Sequence, residues 1–145
     1  MKKYRKNIFL FLPLMFLILS CSSNKGYAPK RISGYIIQTT SMTADRLDKS
    51  WLSTEAYYSF HSDQTYQLTA KGEDLEVGEY SYRKTGSNKC EIVLDYAKDT
   101  ESGIYTLFLE FTTAGSGNWQ AHYTYSYNDK EIGTFKVVKK EAINK

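Results

Sequence analysis

Cysteine is nearly missing from this chain: Cys21 and Cys90 are the only two among 145 residues. A disulfide scaffold is therefore not what holds the domain together. Histidine is equally scarce, with only His61 and His122. No third ligand stands near them at a metal-binding spacing, so no zinc site is expected. Gly-x-Ser-x-Gly and phosphate-cradling glycine loops are both missing. These absences argue against an enzyme and against a bound cofactor. No apolar run approaches the roughly twenty residues a membrane helix needs. The longest, Ile8 to Leu19, has twelve residues and is interrupted by Pro13. Charge of one sign is lacking as well. The formal charge is +3, but Lys2, Lys3, Arg5 and Lys6 sit in the first 21 residues. The rest carries 15 Lys+Arg against 16 Asp+Glu, interspersed rather than blocked. A nucleic-acid partner, which needs a basic face, is not expected.

What the chain does have is tyrosine. Thirteen are present, twelve of them after residue 21. Tyr favours strands, because its ring covers a half-buried pleat while its hydroxyl reaches a partner or water. Between Gly103 and Tyr127 the pattern is clearest. Tyr105, Leu107, Leu109 and Phe111 alternate with Thr106, Glu110 and Thr112, with Phe108 the apolar exception. Trp119, Ala121, Tyr123, Tyr125 and Tyr127 then alternate with polar residues. A period of two means a strand with one buried face. The intervening Ala114-Gly115-Ser116-Gly117-Asn118 reads as a hairpin loop.

Similar runs precede and follow this hairpin. Ile32–Thr40, Glu55–Phe60, Thr65–Ala70, Val77–Lys84, Lys89–Tyr96 and Glu131–Val138 read as strands, separated mostly by short polar turns. Residues 41 to 53 differ. Ala44, Leu47 and Trp51 fall at helical spacing and Thr43 can cap, which predicts a short helix or a structured loop. The fold class is therefore all-β, an antiparallel meander of about eight strands. Closure into an up-and-down barrel removes exposed edges, and a two-sheet sandwich is the alternative. A membrane-spanning barrel does not fit, because both faces of strands such as Val77–Lys84 carry polar groups.

The N-terminus has a basic start, the twelve-residue apolar core and then Ile18-Leu19-Ser20-Cys21. That order fits a secretory leader, and its end resembles the lipobox of bacterial lipoproteins. The resemblance implies cleavage before Cys21 and acylation of the Cys21 sulfur and new amine, palmitate among the chains. Several acyl chains hold a protein firmly on a membrane. It implies a cell-envelope location, and Ser22 is consistent with the outer membrane if the cell is Gram-negative. The expected organisation is a leader over 1–20, lipidated Cys21 and a polar tether over 21–30, a barrel domain over 31–140 and a charged tail over 141–145.

Within the domain, Gly78-Glu79-Tyr80-Ser81-Tyr82-Arg83-Lys84-Thr85-Gly86-Ser87-Asn88 and Ser102-Gly103-Ile104-Tyr105-Thr106-Leu107 are similar to a GxYxYxKTGxN…SGxYTL pattern of uncharacterised bacterial secreted and surface β-meander proteins. The more general resemblance is to lipocalin-like barrels, in which a long first loop lies across the mouth. Neither implies a catalytic residue.

The aromatic rows carry the functional expectation. If Tyr80, Tyr105, Trp119, Tyr123 and Tyr125 point inward, they line a pocket for a flat apolar or lipid-like ligand, or they simply fill the interior; if they point outward, they form a patch that stacks on sugars or contacts a partner. The leading reading is a non-enzymatic lipid-anchored protein holding a small hydrophobic ligand. A second is an envelope interaction module, such as an assembly subunit, an immunity factor or an inhibitor. A third is a small hydrolase using Cys90 or His122, which requires a cleft joining them. Cys90, on the apolar side of its strand, reads as a buried inert thiol, and His61 and His122 as solvated. The acidic runs Glu73, Asp74, Glu76 and Asp95, Asp99, Glu101 read as solvated loop charge.

Overall fold

Strict alternation over so many short segments leaves each strand with one apolar face to hide, and in the computed structural model the chain hides them all inside a barrel. Residues 26–44, 53–98, 101–124 and 130–140 are described. They form eight strands: β1 (Tyr35–Ala44), β2 (Glu55–Phe60), β3 (Thr65–Ala70), β4 (Glu73–Lys84), β5 (Lys89–Lys98), β6 (Glu101–Thr113), β7 (Ser116–Tyr123) and β8 (Lys130–Lys140). Each pairs antiparallel with the next, and β1 pairs with β8, so the meander closes. That last ladder runs from Tyr35↔Lys140 to Ala44↔Glu131 and excludes the sandwich alternative. Outward positions of β4 and β5 carry charge, with Arg83 and Glu91 paired at 2.6 Å across the two strands.

The inner face is graded along the barrel axis. On β1 it runs Tyr35, Ile37, Thr39, Ser41; on β8 it runs from Val137 and Phe135 to Gly133 and Glu131. Large apolar groups thus gather at one end, and small or polar ones at the other. The packed end holds Phe60 against Tyr80 (centroids 5.0 Å apart) and Phe111 against Phe135 (4.9 Å), both edge-on. Such pairs contribute beyond their buried area.

The packed end is also capped. Residues 26–34 lie across it, from the β4–β5 turn to the end of β2. The Ala28 N–H donates to the Ser87 carbonyl at 3.0 Å, Tyr27 N–H to Asn88 Oδ1 at 2.9 Å, and Gly34 N–H to the Phe60 carbonyl at 2.7 Å. Lys84 Nζ and the Tyr82 hydroxyl donate to the carbonyls of Ala28 and Pro29. Ala28 and Ile32 are buried in the core. The tether expected to run to Lys30 is therefore, from Gly26 onward, part of the barrel. Its polar composition concealed backbone groups that find partners and one apolar side chain, Ala28, that finds the core.

The first strand also differs from expectation. It begins at Tyr35 rather than Ile32 and runs to Ala44, so Ile32 belongs to the cap, and Thr43 is not a helix cap but pairs with Ile132. Three β-branched threonines, Thr39, Thr40 and Thr43, suit a strand flanked by two neighbours. The rest of the expected helix, 45–52 with Trp51, lies outside the described residues. β4 begins at Glu73, four residues before the expected Val77, so the β3–β4 turn is tight. Lys71 and Gly72 alone make it, with φ of 53° and 79°, the two-residue geometry whose twist matches a hairpin. Likewise only Ala114 and Gly115 separate β6 from β7.

Candidate functional site

The opposite end of the barrel is hollow. A cavity of about 430 Å³ opens there, lined by Thr39, Ser41, Thr54, Ala56, Tyr58, Leu68, Leu75, Glu76, Tyr96, Tyr105, Trp119, Tyr123 and Glu131. It exists because the inner positions near this mouth are small: Ser41 on β1, Ala56 on β2, Ala121 on β7 and Gly133 on β8. Two tyrosine rings, Tyr105 and Tyr123, stack with centroids 5.2 Å apart, and Tyr96 meets Tyr105 edge-on at 5.9 Å.

Two carboxylates reach into this aromatic setting. The hydroxyls of Tyr66 (2.5 Å) and Tyr105 both donate to Glu76 Oε1. The Tyr58 and Tyr105 hydroxyls are 3.4 Å apart, which extends the network. On the other wall the Ser41 hydroxyl donates to Glu131 Oε1 and the Tyr123 hydroxyl to Oε2 at 3.1 Å. Burial pushes the Glu131 carboxyl above the ordinary carboxylate range, and the Ser41 and Tyr123 hydrogen bonds pull it part of the way back. A carboxyl raised in the folded state favours folding most below its unfolded pKa. That advantage is lost as pH rises through the folded value, so the barrel carries an ionisation cost at neutral pH. Burial likewise holds the Tyr58, Tyr66, Tyr105 and Tyr123 hydroxyls protonated, with the nearby Glu76 and Glu131 charges adding to it.

Trp119 crosses the inner face beside these groups. Register places Leu109, Trp119, Gly133 and Ser41 in one row across β6, β7, β8 and β1. The indole lies over Gly133, where a side chain would meet its Nε1 at 2.7 Å. That Nε1 is buried and has no hydrogen-bond partner among the described residues.

The structure brings Tyr105, Trp119 and Tyr123 together at the mouth. Tyr80 is elsewhere: it is core at the packed end, its hydroxyl donating to the His61 carbonyl at 2.8 Å. Its face was read correctly, but its height along the axis is set by register. Tyr125 lies outside the described residues, as does Cys21. Sequence reasoning missed Tyr58, Tyr96, Ser41, Glu76 and Glu131. Glu76 belongs to β4 and accepts two buried hydroxyls, so it is not solvated loop charge. Asp95 is exposed on β5, and Asp99 lies outside the described residues. A signal for Glu131 was present, since it shares parity with Gly133, Phe135 and Val137 on a strand whose inner face is otherwise uncharged.

The Cys90 and His122 pairing does not form. Cys90 is on the inner face of β5 and is 1% exposed, whereas His122 is on the outer face of β7. A surface depression of about 520 Å³ touches both residues, but the sheet itself separates thiol from imidazole. His122 is half-buried rather than freely solvated, with its ring 4.9 Å from Phe108. Burial, and then the neighbouring Lys130, lower its pKa. Burial pushes the Cys90 thiol up to about 11, which leaves little thiolate at neutral pH. Cys90 should therefore stay unmodified by a maleimide at pH 8 in the native barrel and react only after unfolding, read by peptide mapping. Among the described residues no three acidic, His or Cys side chains gather as a metal site.

Fold and site together define an eight-stranded up-and-down barrel, packed and capped at one end and open at the other on a tyrosine-lined, acidic cavity. No protein-family model, curated protein or solved structure matches the chain.

Proposed function

We propose that this is a lipid-anchored protein of the bacterial cell envelope that holds a small, flat, largely apolar ligand in the mouth of its barrel and catalyses no reaction. The observation that carries the binding half is the cavity itself. Inward rows of small barrels ordinarily fill their interior, yet here about 430 Å³ is left open beside buried aromatic rings. Stacked tyrosines present broad apolar faces with fixed hydroxyls, a surface suited to a rigid ligand. The anchor rests on the Ile18-Leu19-Ser20-Cys21 leader ending. The non-catalytic reading rests on the separation of thiol and imidazole by the sheet, and on tyrosines held protonated.

Mass spectrometry of the full chain, gently extracted from membranes, tests both halves. The mature N-terminus should begin at Cys21 and carry acyl mass, and Cys21→Ala should abolish it. Native conditions should show an additional mass that disappears on denaturation. A native mass equal to the denatured one, with no uptake of added apolar probes, would sink the ligand reading.

One observation favours a second reading, an interaction module. Phe108, Ile132 and Met42 are exposed on the outer face of β6, β8 and β1, around Gln120 and His122. Adjacent exposed apolar groups of this kind mark contact surfaces. Retention of the chain on an envelope partner, lost on Phe108→Asp, would support it.

A further inference from the structure

Charge is sorted along the barrel axis. At the mouth Glu55, Glu73 and Asp74 stand exposed, against Lys71 and Lys130. The capped end is the reverse. Lys30 and Arg31 stand exposed in the cap, and Lys136 and Lys140 toward the end of β8, with no ion-pair partner among the described residues. Lys84 donates to the Ala28 carbonyl, a neutral acceptor that leaves its charge in place. Arg83 and Lys89 are matched by Glu91 and Glu110. The acids nearby are Asp63 in the β2–β3 turn, which accepts from the Thr65 N–H and hydroxyl, and Glu79 on the outer wall of β4. A cleft of about 430 Å³ opens beside the cap, lined in part by Lys30, Arg31, Ser33, Ser62, Gln64 and Ser81. Two cations and several small polar groups suit it to a phosphate. Tyr27 and Val138, each about half exposed, are apolar groups of the same end. The chain also leaves the barrel here. Gly26 lies against the Ser87 backbone of the β4–β5 turn, and four residues separate it from Cys21.

We infer that the capped end of the barrel is a docking surface for an anionic lipid bilayer, with Lys30, Arg31, Lys84, Lys136 and Lys140 against the headgroups and Tyr27 and Val138 entering the headgroup layer. The inference goes beyond the anchor and takes from it only the nearness of a bilayer; the charge belongs to the barrel. Cations clustered on one surface attract an anionic membrane and act only within a few ångströms of it. Tyr suits that boundary, since its ring is apolar and its hydroxyl stays wet. A soluble anionic polymer would match the cations, but neither the exposed apolar groups nor the exit of the chain toward Cys21.

Quenching by headgroup-borne nitroxide tests this on the full chain, extracted from membranes in nonionic detergent and transferred to vesicles. Cys90 is buried, so a single added cysteine carries the fluorophore: Ser62→Cys at the capped end or Glu73→Cys at the mouth. The vesicles are phosphatidylcholine alone, or with about one-third phosphatidylglycerol as the anionic lipid. The label at 62 should be quenched about threefold or more strongly in the anionic vesicles, and fall to the neutral level at about 1 M salt, where the Debye length is about 3 Å. The label at 73 should be quenched weakly in both. Lys30→Glu combined with Arg31→Glu should remove the anionic excess, since each cation near the surface is worth about fivefold in attraction. If that variant fails to fold, the salt response of its parent still decides. Equal quenching at 62 in the two vesicles, an excess that survives salt, or stronger quenching at 73 overturns the docking and leaves the anchor standing. Tight binding of dextran sulfate without the excess at 62 assigns the patch to an anionic polymer and overturns the lipid surface. Flotation with neutral vesicles reads the anchor separately. A chain that floats only with anionic vesicles docks without an anchor and overturns that reading alone; one that floats with neither overturns both.

Discussion

Replacing Gly133 by alanine should cost the barrel about 3 kcal/mol, near the upper end of what overpacking a well-filled site costs. Gly133 faces inward on β8, opposite Ser41 of β1 and Trp119 of β7. An added methyl would overlap the Thr40 carbonyl oxygen and stand 2.7 Å from Trp119 Nε1. The indole can swing into the cavity, but the carbonyl belongs to the backbone of the β1–β8 ladder. That ladder closes the meander, so a retreat there opens the seam on which all eight strands depend. A midpoint lower by about 10 °C is expected for a domain of this size. Gly115→Ala is the matching control. Gly115 has nothing within 4 Å of its would-be side chain and no positive φ, and its change should stay within about 0.5 kcal/mol. Equal effects of the two substitutions in thermal unfolding would show that the seam is not as tight as described.

The second large effect is expected at Ile32, outside every strand. It is 1% exposed and packs into the core from the segment that caps the barrel's packed end. Ile32→Ala removes its outer carbons and leaves a void that the rigid strand ends around it cannot fill. A loss of about 3 kcal/mol follows from comparable core truncations. Urea unfolding monitored by near-ultraviolet dichroism measures it. A loss under about 1 kcal/mol, typical of a surface change, would mean that residues 26–34 rest on the barrel without being part of its core.

The strands were legible in the sequence because alternation is a local property. Tyr105, Leu107, Leu109 and Phe111 announce their shared face without reference to any other segment. Closure followed from the number of strands and the shortness of the turns. The site was legible only in part. Trp119 and Tyr123 were found because they are large and regularly spaced. Glu131 was not, although it occupies an inner position of its own strand. The cavity is harder still, because it is made by what is small: Ser41, Ala56 and Gly133 come from three strands and meet only through register. Tyr80 shows the converse limit. Period fixes which face a residue takes, not how far along the axis it stands. The cap escaped for another reason: residues 26–30 carry no period, Ile32 reads as the first residue of a strand, and the order of 26–34 comes from hydrogen bonds of its backbone to Ser87, Asn88 and Phe60.

That cap also sets a direction. Between Cys21 and Gly26 stand only four residues, 22 to 25, a reach of about 17 Å even when fully extended. If Cys21 carries lipid, the barrel is held on a short leash by its packed end and cannot turn over easily. Lys136 and Lys140 stand toward that end, beside Lys84, which donates to the Ala28 carbonyl, and Lys89, which pairs with Glu110 at 3.3 Å. The mouth then looks away from the bilayer. Whatever the cavity takes would come from the aqueous space, like a cup fixed upright by its base, rather than from the lipid beneath it.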